Sequence, residues 1–329
     1  MRNDLLSLTR IRRLLVIWVS MCMKWVFKLR TVSSNTGLHT CSYQPVFIIG
    51  APRTGSTIIY QALTNAYRFA YIDNVACTWC HNLSLGLWLS NKKYGDKPHN
   101  NFKAEHGDTR KFGGHAPSEC GQFWYRWLPK HRHFIDHNEV TSKMVKEIRE
   151  EVFRASSYLK RPLLFKNLNA GQRLRLIHEV FPKAKFIFVR RDPRFVTRSI
   201  LKARRKIGTQ DGQWWSVMPP NVEELRMLPE GEMCAAQVYF LEQQIEKDLT
   251  LFPKENIQEV HYQNLDENLV NLLGEWCGVT ARGKGEIPKF QHDDLRSLKP
   301  SELEELNSLV EKYPFKKELF LEGNIPKAL

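Results

Sequence analysis

No apolar stretch in the chain reaches the roughly 20 residues that a membrane-spanning helix needs. The nearest approach is Leu14 to Met23, ten residues interrupted only by Ser20. It extends through Lys24 to Phe27, with Arg10, Arg12 and Arg13 before it and Lys28 and Arg30 after. At helical spacing Arg10, Arg13, Lys24 and Lys28 share one narrow face with Ser20 between them. That pattern suits an amphipathic helix lying on a membrane surface through residues 10–30, while a short signal anchor and a helix packed on the protein are the other two readings. Low-complexity tracts and internal repeats are also missing, which fits a folded protein and no repeat array. Cysteine is sparse: seven residues, an odd number, scatter through a chain too large to need stapling, so no disulfide framework is expected. Cys77, Cys80 and His81 spell the haem-attachment pattern CxxCH, or half of a zinc site, but no second CxxC exists to complete one. No metal is expected.

Acidic residues are in deficit. Lys and Arg number 49 against 35 Asp and Glu, a formal charge of +14, which fits an anionic ligand, a polyanion or a membrane surface. The basic residues are dispersed and gathered on no recognised module, so nucleic acid is not the expected partner. With 329 residues, 42% of them hydrophobic, the chain can bury one large core, or at most two. Three regions follow: a basic N-terminal segment (1–30), a polar linker (31–44, TVSSNTGLHTCSYQ) and a folded domain (45–329).

Within the domain, strand and helix signals alternate. Val46 to Ile49, Pro162 to Lys166, Lys185 to Val189 and Ile257 to His261 read as strands. Helical patterns follow Ser56, run from Gln172 to Phe181 and from Phe195 to Arg204, and lie at Asp266 to Cys277. Such alternation predicts an α/β fold, a three-layer α/β/α sandwich of the P-loop-like kind with a central parallel sheet. Ligands of such sheets bind at the carboxyl ends of the strands.

Gly50-Ala-Pro-Arg-Thr-Gly55-Ser56-Thr57 has the glycine interval of a triphosphatase loop but lacks its lysine, since Ser56 stands in that place. Glycines let successive N–H groups turn toward phosphate oxygens, and the following helix adds its partial positive charge. The cation sits instead inside the loop, at Arg53, which suits a single terminal 5′-phosphate better than a triphosphate with magnesium. Downstream, KFIFVRRDPRFVTRSIL puts Arg190 and Arg191 at a strand's end, Asp192 as N-cap, Pro193 at the first helical position and Ser199 nearly two turns on. Arginine offers phosphate a fork of donors, and a helix hydroxyl adds another. Two phosphate sites imply a nucleotide phosphorylated at two places.

From Val46 to about Val279 the chain resembles sulfotransferases that use 3′-phosphoadenosine 5′-phosphosulfate (PAPS), and most of all the bacterial type. The resemblance rests on Arg53-Thr-Gly-Ser-Thr57, on Arg191 with Ser199 eight residues later, and on PSECGQFWYRWL after the loop. It implies transfer of a sulfuryl group from PAPS to a hydroxyl acceptor, a carbohydrate or a small hydroxylated metabolite. Arg53, Thr54, Gly55, Ser56 and Thr57 would hold the 5′-phosphosulfate, and Arg191 and Ser199 the 3′-phosphate. Lys166, about where cytosolic members carry a lysine, would stabilise the transferring group. Those members place a catalytic histidine shortly after that lysine, but here Asn167-Leu168-Asn169 follows. Glu119 is the preferred replacement base, with His115 second, the two being close if their segment is helical. Asp73 is a weaker third choice. Trp79, Trp88, Trp124, Trp127, Trp214 and Trp215 are candidate stacking faces for sugar rings. The resemblance suits a cytoplasmic, membrane-associated protein, or alternatively a Golgi-type signal-anchored one. In that second setting Asn82-Leu83-Ser84 becomes a glycosylation sequon. A small-molecule kinase of the same fold, or a catalytically inactive nucleotide-binding relative, are the competing functions.

Overall fold

The computed structural model describes residues 11, 14–23, 43–209 and 212–321. Among them, four parallel strands form one sheet in the order β2-β1-β3-β4: β1 Val46–Ile49, β2 Leu164–Lys166, β3 Lys185–Arg190 and β4 Ile257–His261. The helices are α1 (residues 14–23), α2 (Ser56–Ala66), α3 (Asn74–Thr78), α4 (Leu83–Tyr94), α5 (Gly121–Trp124) and α6 (Ser142–Leu159). They continue with α7 (Leu174–Val180), α8 (Pro193–Ile207), α9 (Val222–Leu225), α10 (Glu230–Leu249), α11 (Glu267–Trp276) and α12 (Pro300–Val310).

β1 and the inner residues of β2 and β3 are apolar because both faces of the sheet are covered there, whereas the edge strand β4 buries only Val260. Phe47, Ile49, Phe165, Phe186 and Phe188 meet Ile148 and Val152 of α6, Leu174 and Ile177 of α7 and Ile245 of α10. On the opposite face Val46, Ile48, Leu164, Ile187 and Val189 meet Ile59 and Leu63 of α2 and Val270 and Leu273 of α11. Phe47 also stacks on Phe165 (5.2 Å) and Phe186 (5.8 Å) in the neighbouring strands. Each such buried side chain contributes about 1.5–3 kcal/mol. The three-layer α/β/α sandwich expected from the sequence is therefore present.

Strand order positions the site. From β1 the chain leaves to build β2 on one side, then crosses to β3 on the other, so the connections diverge at the β1 and β3 carboxyl ends. Such a divergence opens a crevice for a ligand. The loop after β1 and the Arg191-Asp192 turn after β3 both lie there.

Several local expectations shift. β2 starts at Leu164, because Pro162 has no N–H to donate, although its carbonyl accepts from Ala70 N at 3.0 Å. The helix expected from Gln172 starts at Leu174, after a 3₁₀ turn at Leu168–Gln172. Asp192 caps α8 as expected, accepting from Arg194 N at 2.9 Å, with Pro193 following. Asn82 caps α4 and donates to the Ser20 carbonyl at 3.2 Å; at 4% exposure it offers no site for glycosylation. Residues 31–42 of the expected linker fall outside the described residues.

Candidate active site

The phosphate loop owes its shape to its glycines and its packing. Gly55 has φ +91°, and a Cβ there would come within 2.4 Å of the Tyr262 ring, so no other residue fits. It is the N-cap of α2, and no side chain caps that helix end. The first-turn N–H groups thus face the cleft with the positive end of the helix dipole behind them. Thr54 turns inward and donates to the Ala51 carbonyl at 3.0 Å, so its hydroxyl braces the loop. Ser56 and Thr57 face the cleft.

The two motifs meet. Arg53 Nε donates to Ser199 Oγ at 2.9 Å, and Arg191 Nη1 donates to the Arg53 carbonyl at 2.8 Å. Burial lowers the Arg53 pKa, and the neighbouring Arg191 charge lowers it further. Cations held this close are a standing attraction for an anion. Arg190 and Arg191 part because consecutive strand residues point to opposite faces. Arg190 is buried among Glu242 (2.9 Å), Glu246 and Glu259 (3.2 Å), a structural knot, and only Arg191 reaches the cleft.

Arg53, Ser56, Thr57, Glu119, Lys166 and Arg191 line one cleft of ≈640 Å³. Lys166, at the carboxyl end of β2, is buried and ion-paired with Glu119 Oε1. Asn167 Nδ2 donates to the Glu119 carbonyl at 3.3 Å. Gly107, at φ +91°, presses on this pair: a Cβ there would lie 2.4 Å from Glu119 Oε1 and 3.3 Å from Lys166 Nζ.

His115 and Glu119 diverge instead of sharing a helix face. Pro117 breaks the segment, which is extended and bridges to Asp73. His115 turns away from the cleft walls, its Nδ1 3.2 Å from Asp73 Oδ2, its Nε2 3.0 Å from the Lys97 carbonyl and its ring stacked on Tyr94 at 4.2 Å. Asp73 is buried beneath it, capping α3 and accepting from Ser90 Oγ at 2.5 Å. His115→Ala is therefore expected to lower the melting temperature by several degrees and leave turnover within about twofold, which thermal unfolding and steady-state rates would check.

The cleft also holds residues that no motif marked. His106 lines it with the ring edge-on to Trp215 at 6.0 Å; burial, then Arg53, lowers its pKa. Arg191 also lies 4.6 Å from the Tyr262 ring centroid, and Tyr262 Oη donates to the Gln291 carbonyl at 2.7 Å. Asp293 accepts from Arg191 Nε (2.6 Å) and Nη2 (2.5 Å). Sequence offers little signal for these contacts, which join residues from 29 to 102 and more positions apart in the chain. Of the six tryptophans singled out, Trp214 and Trp215 line this cleft, while Trp124 is in the core. Among the described residues no group of three or more His, Cys, Asp or Glu could hold a metal, and Cys77 and Cys80 are free thiols.

The sulfotransferase family model matches residues 45–279. Two curated relatives, the omega-hydroxy-beta-dihydromenaquinone-9 sulfotransferases Stf3 of Mycobacterium bovis and Mycobacterium tuberculosis, are each 26% identical over 250 residues. The match covers 67% of this chain and 62% of each relative's length. Among solved structures, sulfotransferase STF9 from Mycobacterium avium superposes with a TM-score of 0.47 at 13% identity, covering 88% of this chain and 73% of its own. STF1 from Mycobacterium tuberculosis gives 0.44 at 12% identity, covering 81% and 71%.

Proposed function

Because the chain belongs to the sulfotransferase family, we propose that it moves a sulfuryl group from PAPS to the hydroxyl of a small acceptor with an apolar body. One observation carries this reading: the loop after β1, Arg191 and the Glu119–Lys166 pair line one cleft, with Ser199 bonded to Arg53 beside it. Two anion sites beside an acid–base pair suit a doubly phosphorylated nucleotide.

PAPS would supply the sulfuryl group for the acceptor oxygen, with its 5′-phosphate as the leaving group. The chain's own residues hold and neutralise. Arg53, the α2 amides and the Ser56 and Thr57 hydroxyls surround the position for the 5′-phosphate and meet the charge that grows there as the bond to sulfur breaks. Lys166, ion-paired with Glu119 on the wall of the same cleft, can pass from the carboxylate toward the departing oxygen. Glu119, freed as Lys166 moves, takes the acceptor's proton.

For the acceptor, Phe102, Leu168, Trp214, Trp215, Val217 and Met218 give the cleft an apolar wall. This wall, together with the hydroxylated menaquinone in the relatives' name, favours an apolar alcohol over a carbohydrate. Calorimetry with adenosine 3′,5′-bisphosphate and ATP tests the donor site, and turnover of labelled PAPS against apolar and sugar alcohols tests the acceptor. Preferential binding of ATP would overturn the reading.

Arg191 reaches a 3′-phosphate only in competition with Asp293, which holds two of its donors. Asp293→Asn is therefore expected to tighten bisphosphate binding by about tenfold, the scale of one charge-assisted hydrogen bond, while leaving adenosine 5′-phosphate little changed. Titration of both nucleotides against both proteins checks it.

A further inference from the structure

Helix α1 meets the domain through the stripe around Ser20. Ser20 is fully buried, with Val16, Val19 and Met23 partly covered around it. The Asn82 side chain fixes the helix by donating to the Ser20 carbonyl at 3.2 Å. Positions 16, 19, 20 and 23 form one helical stripe. The opposite stripe is Ile11, Leu14, Leu15, Trp18, Met21 and Cys22, and it faces outward. Leu14 is 61% exposed, Trp18 66% and Met21 58%. A helix apolar all round normally has both faces covered. Among the described residues, nothing covers this one.

We propose that the outward face of α1 seats in the headgroup layer of a bilayer containing anionic lipid and holds the domain at a membrane surface. Charge selects this occupant. Residues 10–30 carry six cations (Arg10, Arg12, Arg13, Lys24, Lys28 and Arg30) and no carboxylate. A second copy on this face would double that charge at close range, whereas anionic headgroups neutralise it. Length sets the mode. Residues 14–23 rise about 15 Å as a helix, half of a hydrocarbon core about 30 Å thick. No helix among the described residues is long and apolar enough to cross. A short helix with a tryptophan on its apolar face and cations at its flanks lies in the interface. This inference is independent of the sulfuryl-transfer reading.

The test is sedimentation of the full chain with phosphatidylcholine vesicles, with and without phosphatidylglycerol. Wild type is expected to pellet with the anionic vesicles. The double variant Leu15→Glu, Trp18→Glu should lose at least on the order of tenfold in partitioning, its fold checked by circular dichroism. Should that variant misfold, Arg12→Gln, Arg13→Gln leaves the apolar face intact and should weaken binding about fivefold per cation removed. Wild type left in the supernatant with anionic vesicles would overturn the proposal, as would undiminished binding by both variants. A concentration-dependent dimer abolished by Trp18→Glu would overturn it too, assigning the face to a second copy.

Discussion

Replacement of Arg53 by alanine is expected to cut turnover on the order of 100-fold or more, with nucleotide affinity much less affected. The asymmetry follows from where the guanidinium sits. Its Nε is tethered to Ser199 at 2.9 Å, while Arg191 is anchored to its carbonyl at 2.8 Å. Ground-state binding therefore has other donors in Arg191, Ser199 and the α2 amides. Charge at the leaving oxygen, by contrast, appears only as the bond to sulfur breaks, and Arg53 is the loop's own cation. Single-turnover rates and calorimetric titrations on the same variant separate the two effects. Unchanged turnover would remove Arg53 from the mechanism.

The second large effect is expected at the Glu119–Lys166 pair. Glu119→Gln keeps the shape and removes the proton acceptor, so transfer should fall by about 10²–10⁴-fold with nucleotide binding retained. Lys166→Met should be comparably damaging, because it strands Glu119 without a partner and leaves the transferring group without its cation. On the proposed reading both act in one proton-and-charge exchange, so the double variant should be hardly worse than either single one, a non-additivity that independent roles would not produce. His106 provides the internal alternative. If Glu119→Gln remains active while His106→Ala does not, the proton goes to the His106 imidazole on the wall of the same cleft.

Much of the fold was legible because the relevant signals are local. Val46 to Ile49 and Lys185 to Val189 read as strands since both their faces are buried, which leaves unbroken apolar strings. Arg53 and Arg191 were legible as neighbours because each lies shortly past such a string, and adjacent parallel strands bring their ends together. Non-local packing was hidden. Glu119 was separated from His115 by Pro117 and by the bridge to Asp73, an outcome that spacing of four residues cannot foretell. Asp293 and Tyr262 carry no motif: Tyr262 follows β4, which pairs with β3 up to Arg190 opposite His261, and Asp293 reaches Arg191 only as the irregular segment after α11 folds back. Helical periodicity found the stripes of α1 but could not say which one meets the protein; Asn82, some sixty residues away, decides it.

The most direct test is the affinity ratio between adenosine 3′,5′-bisphosphate and adenosine 5′-phosphate, measured by calorimetry for wild type and for Arg191→Ala. Wild type should prefer the bisphosphate by at least on the order of tenfold, about what one charge-assisted contact supplies, and the variant should lose that preference while still binding adenosine 5′-phosphate. Equal affinity of wild type for the two nucleotides, or a preference that survives the loss of Arg191, would contradict the account.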